Sequence, residues 1–388
     1  MSTVRLGIVG MGSMGTNYAR WITEGKVINI ALTAICDADP KRTTKVVEEL
    51  KVDIPCFTVT EQLFASNLVD AVLIATPHYF HVDIAIEAMK SGLHVLVEKP
   101  AGIYAGKIRK MDEEASRHPD LVYAMMFNQR VNPLYMKVKE LLGSGAIGEI
   151  RRVSWMITSW WRTQKYYDSS SWRATWAGEG GGVLVNQAPH QIDLLQWLFG
   201  MPSKTMAFLK YGSHRDITVD DDATVWFELS GGASGTFITC THDALGTDRL
   251  EVQGGKGKII IENSSKLIVR RMEKSEEELN RSLDFKQSMA LTRGQSGEKL
   301  FSEETFTIPE QWDVQHIDML SNFAEAVLNG KEPVSVGNEG IKSVEFVNAM
   351  YLSDWLGRPV EIPVDPNLFE SELKKRIHEE NKIKNNQE

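Results

Sequence analysis

Cysteine is scarce in this 388-residue chain: Cys36, Cys56 and Cys240 are the only three. Their odd number and wide spacing offer neither a disulfide framework nor a zinc site, which fits a reducing cytosol. Long apolar runs are missing too. None approaches the roughly 20 residues that cross a bilayer, so no membrane span is expected. The N-terminus enters Val4–Val9 without a basic segment, apolar stretch and cleavage site, so no signal peptide is expected. Excess positive charge is absent: 43 basic side chains face 52 acidic ones, a net charge of -9. With no long basic run, nucleic acid is excluded as the main partner. Internal repeats and dedicated metal-ligand spacings are also lacking, and no metal is expected. What remains is a chain long enough for about two domains with real cores.

The first third alternates strands and helices. Val4–Val9 is a short apolar strand that stops at Gly10-Met11-Gly12-Ser13-Met14-Gly15, and a helix follows from Thr16. A second strand, Ala31–Asp37, ends in an acid about 20 residues further on. In that setting the glycines have separate tasks. Gly10 allows the tight turn, Gly12 lets backbone approach a pyrophosphate at the helix N-terminus, and Gly15 permits close helix packing. Asp37 suits the hydroxyls of a ribose and repels a 2′-phosphate, so NAD is favoured over NADP. Lys41 and Arg42 weigh the other way, since a cation there suits a 2′-phosphate. Val69–Thr76 then ends at Pro77, a helix covers His81–Lys90, and Leu93–Val97 ends at Glu98-Lys99-Pro100. Such alternation predicts a doubly wound parallel sheet whose strand C-termini line the ligand crevice. The cofactor-binding set read from these ends is Gly10, Met11, Gly12, Ser13, Met14, Gly15, Asp37, Arg42, Thr76, Pro77, His81, Glu98 and Lys99. Pro100 restricts Lys99 to an extended backbone, suited to a side chain held over the crevice. His78 and His81 are weaker candidates than Lys99, and simple exposure is the alternative reading of His78.

After residue 125 the rhythm changes. Period-2 apolar runs at 150–157, 205–211, 223–229, 235–241, 249–253, 257–262 and 266–271 predict a large, mostly antiparallel sheet. The expected fold is an α/β Rossmann domain (1–125) followed by an α+β domain with an open-faced sheet (126–365). Residues 273–302 read as an exposed, partly helical excursion. Helices are expected over 315–328 and 340–355, and 366–388 as a polar helical tail, a solvated appendage or interface arm. An open sheet face favours a homo-dimer or homo-tetramer.

The stretch Gly180–Asp193 is unusual. Three consecutive glycines suggest close approach of the backbone, read here as approach to the cofactor. Pro189 belongs in a first helical turn, so a helix is expected from near Gln187 to Trp197 or Leu198, with Asn186 near its N-cap. His190, Asp193 and Trp197 share one face, and Ile192, Leu195 and Phe199 another, the core face. Just upstream, Trp160, Trp161, Arg162, Tyr166, Tyr167, Trp172, Arg173 and Trp176 form an aromatic and basic cluster. Aromatic faces suit sugar C–H faces and arginines bind oxygens, so Arg162, Tyr167 and Arg173 are the substrate-binding candidates there.

In order and spacing, the glycine-rich turn, Thr76-Pro77-His78-Tyr79-Phe80-His81, Glu98-Lys99-Pro100 and Gly180–Asp193 resemble the Gfo/Idh/MocA family, named for glucose-fructose oxidoreductase and inositol dehydrogenase. Similar segments at Phe127–Pro133, Gly254–Lys258 and Gly340–Trp355 extend the resemblance from about residue 4 to 365. It implies an oxidoreductase that uses the open sheet face to oligomerise and adds Asn128 to the cofactor-binding set. It also implies Lys99 and His190 as catalytic residues, His190 as acid/base and Lys99 orienting the substrate oxygen. The family commonly has aspartate where this chain has Asn186. That departure leaves Asn186 to bind and orient substrate with Lys99 and His190, and moves any charged-partner role to Asp193.

The reading is an NAD-dependent oxidoreductase acting on a CH–OH carbon of a cyclic polyol, sugar or glycoside. Two alternatives stay open: an NAD-dependent glycosidase working by transient oxidation and elimination, and a non-catalytic NAD-binding sensor.

Overall fold

The computed structural model describes residues 3–297, 299–309 and 312–385. Its first unit is a six-stranded sheet of β1 (Val4–Val9), β2 (Ile30–Cys36), β3 (Cys56–Phe57), β4 (Ala71–Ile74), β5 (His94–Val97) and β6 (Tyr123–Met125). All pairings are parallel, in the order β3-β2-β1-β4-β5-β6. This is the Rossmann order, and it opens a crevice above β1 and β4, where the strand order reverses. Both faces are covered, which explains the nearly continuous apolar runs of β1 and β4.

One of these two faces is built from distant sequence. Val4, Leu6 and Ile8 pack in one cluster with Met319, Leu320 and Phe323, from the helix Trp312–Asn329. The Rossmann core thus takes in a helix from far down the chain. Burial of each such side chain contributes about 1.5–3 kcal/mol.

The second sheet has nine strands: β7 (Ile150–Ile157), β8 (Pro202–Tyr211), β9 (Asp220–Leu229), β10 (Ser234–Cys240), β11 (Asp248–Gly254), β12 (Gly257–Glu262), β13 (Lys266–Met272), β14 (Phe301–Thr307) and β15 (Val360–Glu361). Their order is β14-β13-β12-β11-β7-β10-β9-β8-β15, antiparallel except where β7 meets β10. Helices Pro133–Gly143, Pro189–Phe199 and Gly340–Leu356 bury one face around Trp155, Phe227 and Phe237. The opposite face is open, with Phe208 and Met156 exposed.

Three strands escape the sequence reading. β3 and β15 have two residues each, too few to show a period. β14 runs along the sheet edge, and between Phe301 and Phe306 it is polar throughout, so it shows no apolar alternation.

The C-terminal helix Pro366–Asn385 is docked, contrary to the expected solvated tail; residues 386–388 lie outside the described residues. Phe369 stacks on Trp355 at 5.5 Å and the Arg376 guanidinium lies 3.8 Å from the Trp355 ring. Glu380 is buried and accepts from the Trp176 and Ala177 amides, each at 3.0 Å, and from the Thr218 hydroxyl. The helix's polarity concealed these contacts because one of its buried anchors, beside Phe369 and Leu373, is itself a carboxylate.

Candidate active site

The crevice is assembled from the C-terminal ends of β1, β2, β4 and β5. Gly10 holds φ +96°, and a Cβ there would lie 2.7 Å from the Ala75 backbone. At Gly15 a Cβ would sit 1.9 Å from the Gly10 carbonyl oxygen, so the helix Ser13–Thr23 can close on the turn only with glycine. Gly12 is different: nothing lies within 4 Å of a Cβ there. The helix N-terminus beside it has no side-chain cap and no acid in its first turn. Free amides and the positive dipole end therefore face open space, the arrangement that binds a phosphate.

Asp37 follows β2 and accepts from the Met11 amide at 2.7 Å and the Asp39 amide at 2.9 Å. The Arg42 guanidinium is 3.9 Å from the same carboxylate. Thr76 Oγ1, after β4, is buried without a hydrogen-bond partner, and so is Asn128 Oδ1, whose amide nitrogen lies 3.2 Å from His316 Nδ1. Orphaned polar atoms of this kind, beside an open glycine turn and an acid at the second strand end, fit a bound dinucleotide. Ser13 and Met14 open the helix, and Pro77 precedes the turn His78–Phe80.

Other candidates are used internally. Buried His81 spans two carbonyls, Pro100 at 2.8 Å and Thr76 at 2.7 Å, and ties two strand ends together. Glu98 accepts from the buried Tyr18 hydroxyl and, at 3.0 Å, from the Lys99 amide, which sets the backbone from which Lys99 projects. His78, for which simple exposure is the alternative sequence reading, is buried, with Nδ1 3.2 Å from the Glu179 carbonyl and its ring edge-on to Trp172.

The second unit supplies the opposite wall. Lys99 Nζ donates to the Asn186 carbonyl at 3.0 Å. Burial holds the Lys99 ammonium below its ordinary pKa, while Glu98 and Glu179 pull the other way. His190 lies on the helix Pro189–Phe199, its Nδ1 buried and unpartnered. Burial, reinforced by Lys99 and His316, pushes its pKa well below the usual histidine value, leaving a neutral imidazole at pH 7.

Several local expectations are corrected. Asn186 is not the N-cap: it ends a separate short helix, Val183–Asn186, and Ala188 caps the next. Asp193 does not serve His190. It is buried in a two-pronged pair with Arg130, at 2.7 and 2.8 Å, and Arg130 also binds Glu339. The three glycines approach protein rather than an open cofactor cleft. A Cβ would strike Ile103 from Gly180, Tyr351 from Gly181 and the Asp220 carbonyl from Gly182, while the Asp220 carboxylate receives the Gly182 and Leu184 amides. The structure places Tyr167 in the core, where its hydroxyl donates to Thr241 at 2.9 Å. Its neighbour Tyr166 instead lies between the arginines. Arg173 donates to its hydroxyl at 2.8 Å, and the Arg162 and Arg173 guanidiniums lie 5.1 and 4.6 Å from its ring centre.

Sequence reasoning missed Glu179. Its carboxylate is buried, accepts from the Ala174 amide at 2.6 Å and receives the Asn186 side-chain amide. Burial raises its pKa, opposed by those donors and by Arg173 and Lys99. An acid directly preceding three ordered glycines was the available signal.

Comparison with known proteins bears on this geometry. Residues 4–126 match the oxidoreductase family with NAD-binding Rossmann fold, and residues 135–260 match the GFO/IDH/MocA C-terminal domain. The chain belongs to the Gfo/Idh/MocA family. As a member it is an NAD-binding oxidoreductase. Myo-inositol 2-dehydrogenase of Thermotoga maritima is 24% identical over 346 residues, 87% of this chain and 92% of the relative. Inositol 2-dehydrogenase of Rhizobium meliloti is 26% identical over 268 residues, 67% of this chain and 76% of the relative. In fold, the chain resembles a levoglucosan dehydrogenase solved with NADH (TM-score 0.77, 19% identity, covering 94% of this chain and 100% of that one). It also resembles the WlbA dehydrogenase of Bordetella pertussis, solved with NADH and UDP-GlcNAcA (TM-score 0.75, 23% identity, 94% and 100% covered). Among the described residues no helix is long and apolar enough to cross a membrane.

Proposed function

We propose that this protein is an NAD-dependent dehydrogenase or reductase acting on a secondary alcohol or ketone carbon of a cyclic polyol, sugar or glycoside. One observation carries the reading: Lys99, from the end of β5, reaches into the second unit and donates to the Asn186 carbonyl at 3.0 Å, four residues before His190, whose neutral form burial and the Lys99 charge favour. Relatives named inositol 2-dehydrogenase support the substrate class.

NAD, when bound, accepts or returns the hydride. Gly10–Gly15 and the uncapped helix N-terminus would hold its pyrophosphate, Asp37 a ribose, and Thr76 and Asn128 offer further polar contacts. The chain's own residues handle the proton and the substrate oxygen. Neutral His190 takes the hydroxyl proton in oxidation and returns it in reduction, a task worth roughly 10² to 10⁴ in rate. The Lys99 ammonium donates to the same oxygen and stabilises its developing charge. Asn186, Arg162 and Arg173 bind neighbouring hydroxyls, with Tyr166 as the aromatic surface between the arginines. The open face of the nine-stranded sheet serves self-association into a dimer or tetramer, and the protein works in the cytoplasm.

The test is formation of NADH by purified protein with a panel of inositols, monosaccharides and glycosides. The reading predicts turnover with at least one ring polyol and its loss in His190→Ala. No reduction of NAD across the panel, or full activity in that variant, would overturn it.

A further inference from the structure

Three potential metal ligands converge where the start of β9 meets the end of β10, on the open face of the large sheet. Asp222 and Cys240 are direct cross-strand partners, and His242 follows two residues after Cys240 on the same side. One ligand atom from each lies within 4.8 Å of the other two, the only such group of three among the described residues. His242 Nε2 is 2.9 Å from Asp222 Oδ2. Around a tetrahedral zinc ion with arms of 2.0–2.1 Å, a nitrogen and an oxygen ligand stand about 3.3 Å apart, so this pair is already near that spacing. A second imidazole, His214, lies against His242 with ring centres 3.9 Å apart. Its loop is pinned by Asp221, which accepts from the Ser213 and His214 amides at 3.2 and 2.7 Å.

We propose that Asp222, Cys240 and His242 form a divalent-cation site suited to Zn²⁺, with the fourth position taken by water or by His214. A carboxylate, an imidazole and a thiolate together favour zinc over the hard cations, which prefer all-oxygen sites. On binding, the Cys240 thiol releases its proton to solvent and the sulfur and His242 Nε2 lone pairs enter the metal shell. The site is independent of the proposed dehydrogenase reading, and its role is structural. Thr241, between two ligands, receives the Tyr167 hydroxyl and accepts the Arg162 amide at 2.9 Å, so a metal here braces the strand end that anchors the arginine-bearing loop.

The full chain, freed of metal by a chelator, is titrated with Co²⁺ and then with Zn²⁺. One equivalent of Co²⁺ is expected to give a thiolate-to-cobalt charge-transfer absorption, erased when Zn²⁺ displaces it. Cys240→Ser should abolish the band and weaken Zn²⁺ binding by about 100-fold. His242→Gln, at a partly exposed position, should weaken binding similarly without threatening the fold. A Cys36→Ser/Cys56→Ser double variant should keep the band. Failure of the wild-type chain to take up metal stoichiometrically overturns the site, as does a band that survives Cys240→Ser or disappears with the other two cysteines. Then His242 and Asp222 are a hydrogen-bonded pair beside a buried thiol.

Discussion

Asn186 donates its side-chain amide to the buried carboxylate of Glu179. A carboxylate therefore sits beside residue 186 although none is present at it, and it is delivered from seven residues upstream. The amide's other end is held as well, since Gln187 Nε2 donates to Asn186 Oδ1 at 3.2 Å. In Asn186→Asp two carboxylates would face each other in a buried site, and one must keep its proton. Turnover should fall about tenfold or more, with the fall deepening as pH rises and that proton is lost. The double variant Asn186→Asp/Glu179→Gln swaps the two groups and should recover most of the loss. Steady-state kinetics of the two singles and the double decide it; no recovery in the double variant would mean that the pair does not act as a unit.

The pH profile follows from His190 and Lys99. His190 must be neutral to take a proton, and its pKa lies below the ordinary value of about 6.5. The acid limb of kcat/KM for oxidation should therefore fall below pH 6.5, with activity lost as pH drops through the depressed value. Lys99, lowered by burial from 10.5, sets the alkaline limb, where activity is lost as pH rises through its lowered value. An acid limb centred at or above 6.5 would exclude His190 as the base. The stability sign is the same: the unfolded chain binds this proton first, so folding stability is complete above about 6.5 and declines below it.

Asp193→Asn separates structure from catalysis. Removing one partner of the buried Arg130 pair should cost about 3–5 kcal/mol, read as a lower midpoint in denaturant. The acid limb of the folded variant's pH profile should not move, because Asp193 is bonded to Arg130 and Gln196 rather than to His190.

Cofactor choice should respond to Asp37. Asp37→Ala removes the acceptor held by the Met11 amide and frees Arg42 from its 3.9 Å pairing. NAD affinity should weaken about tenfold or more and NADP affinity improve, measured by nicotinamide fluorescence. Unchanged discrimination would assign the ribose contact to another residue.

Glu380→Ala tests the docked tail. It strands the Trp176 and Ala177 amides and the Thr218 hydroxyl, so a loss of about 2–3 kcal/mol is expected. A surface appendage would show a change within about 0.5 kcal/mol in the same unfolding experiment.

Local chemistry was legible in the chain itself. The turn Gly10–Gly15 between a strand and a helix, the acid at Asp37 and the period-2 runs after residue 149 are short-range patterns, and backbone sterics and burial on one face dictate them without reference to distant residues. They determined the Rossmann unit, the large antiparallel sheet and NAD as the cofactor. Partnerships were decided by tertiary structure. Spacing on a helix put His190 and Asp193 on one face, but only packing showed that Arg130, 63 residues away, claims Asp193. The same holds for Glu179 beside Asn186, for Tyr167 turned inward while Tyr166 meets the arginines, and for Asp222, Cys240 and His242, which show no ligand spacing until β9 and β10 pair. A charged or polar group is satisfied by whichever donor or acceptor the fold brings within about 3 Å, and linear order carries little information about that choice.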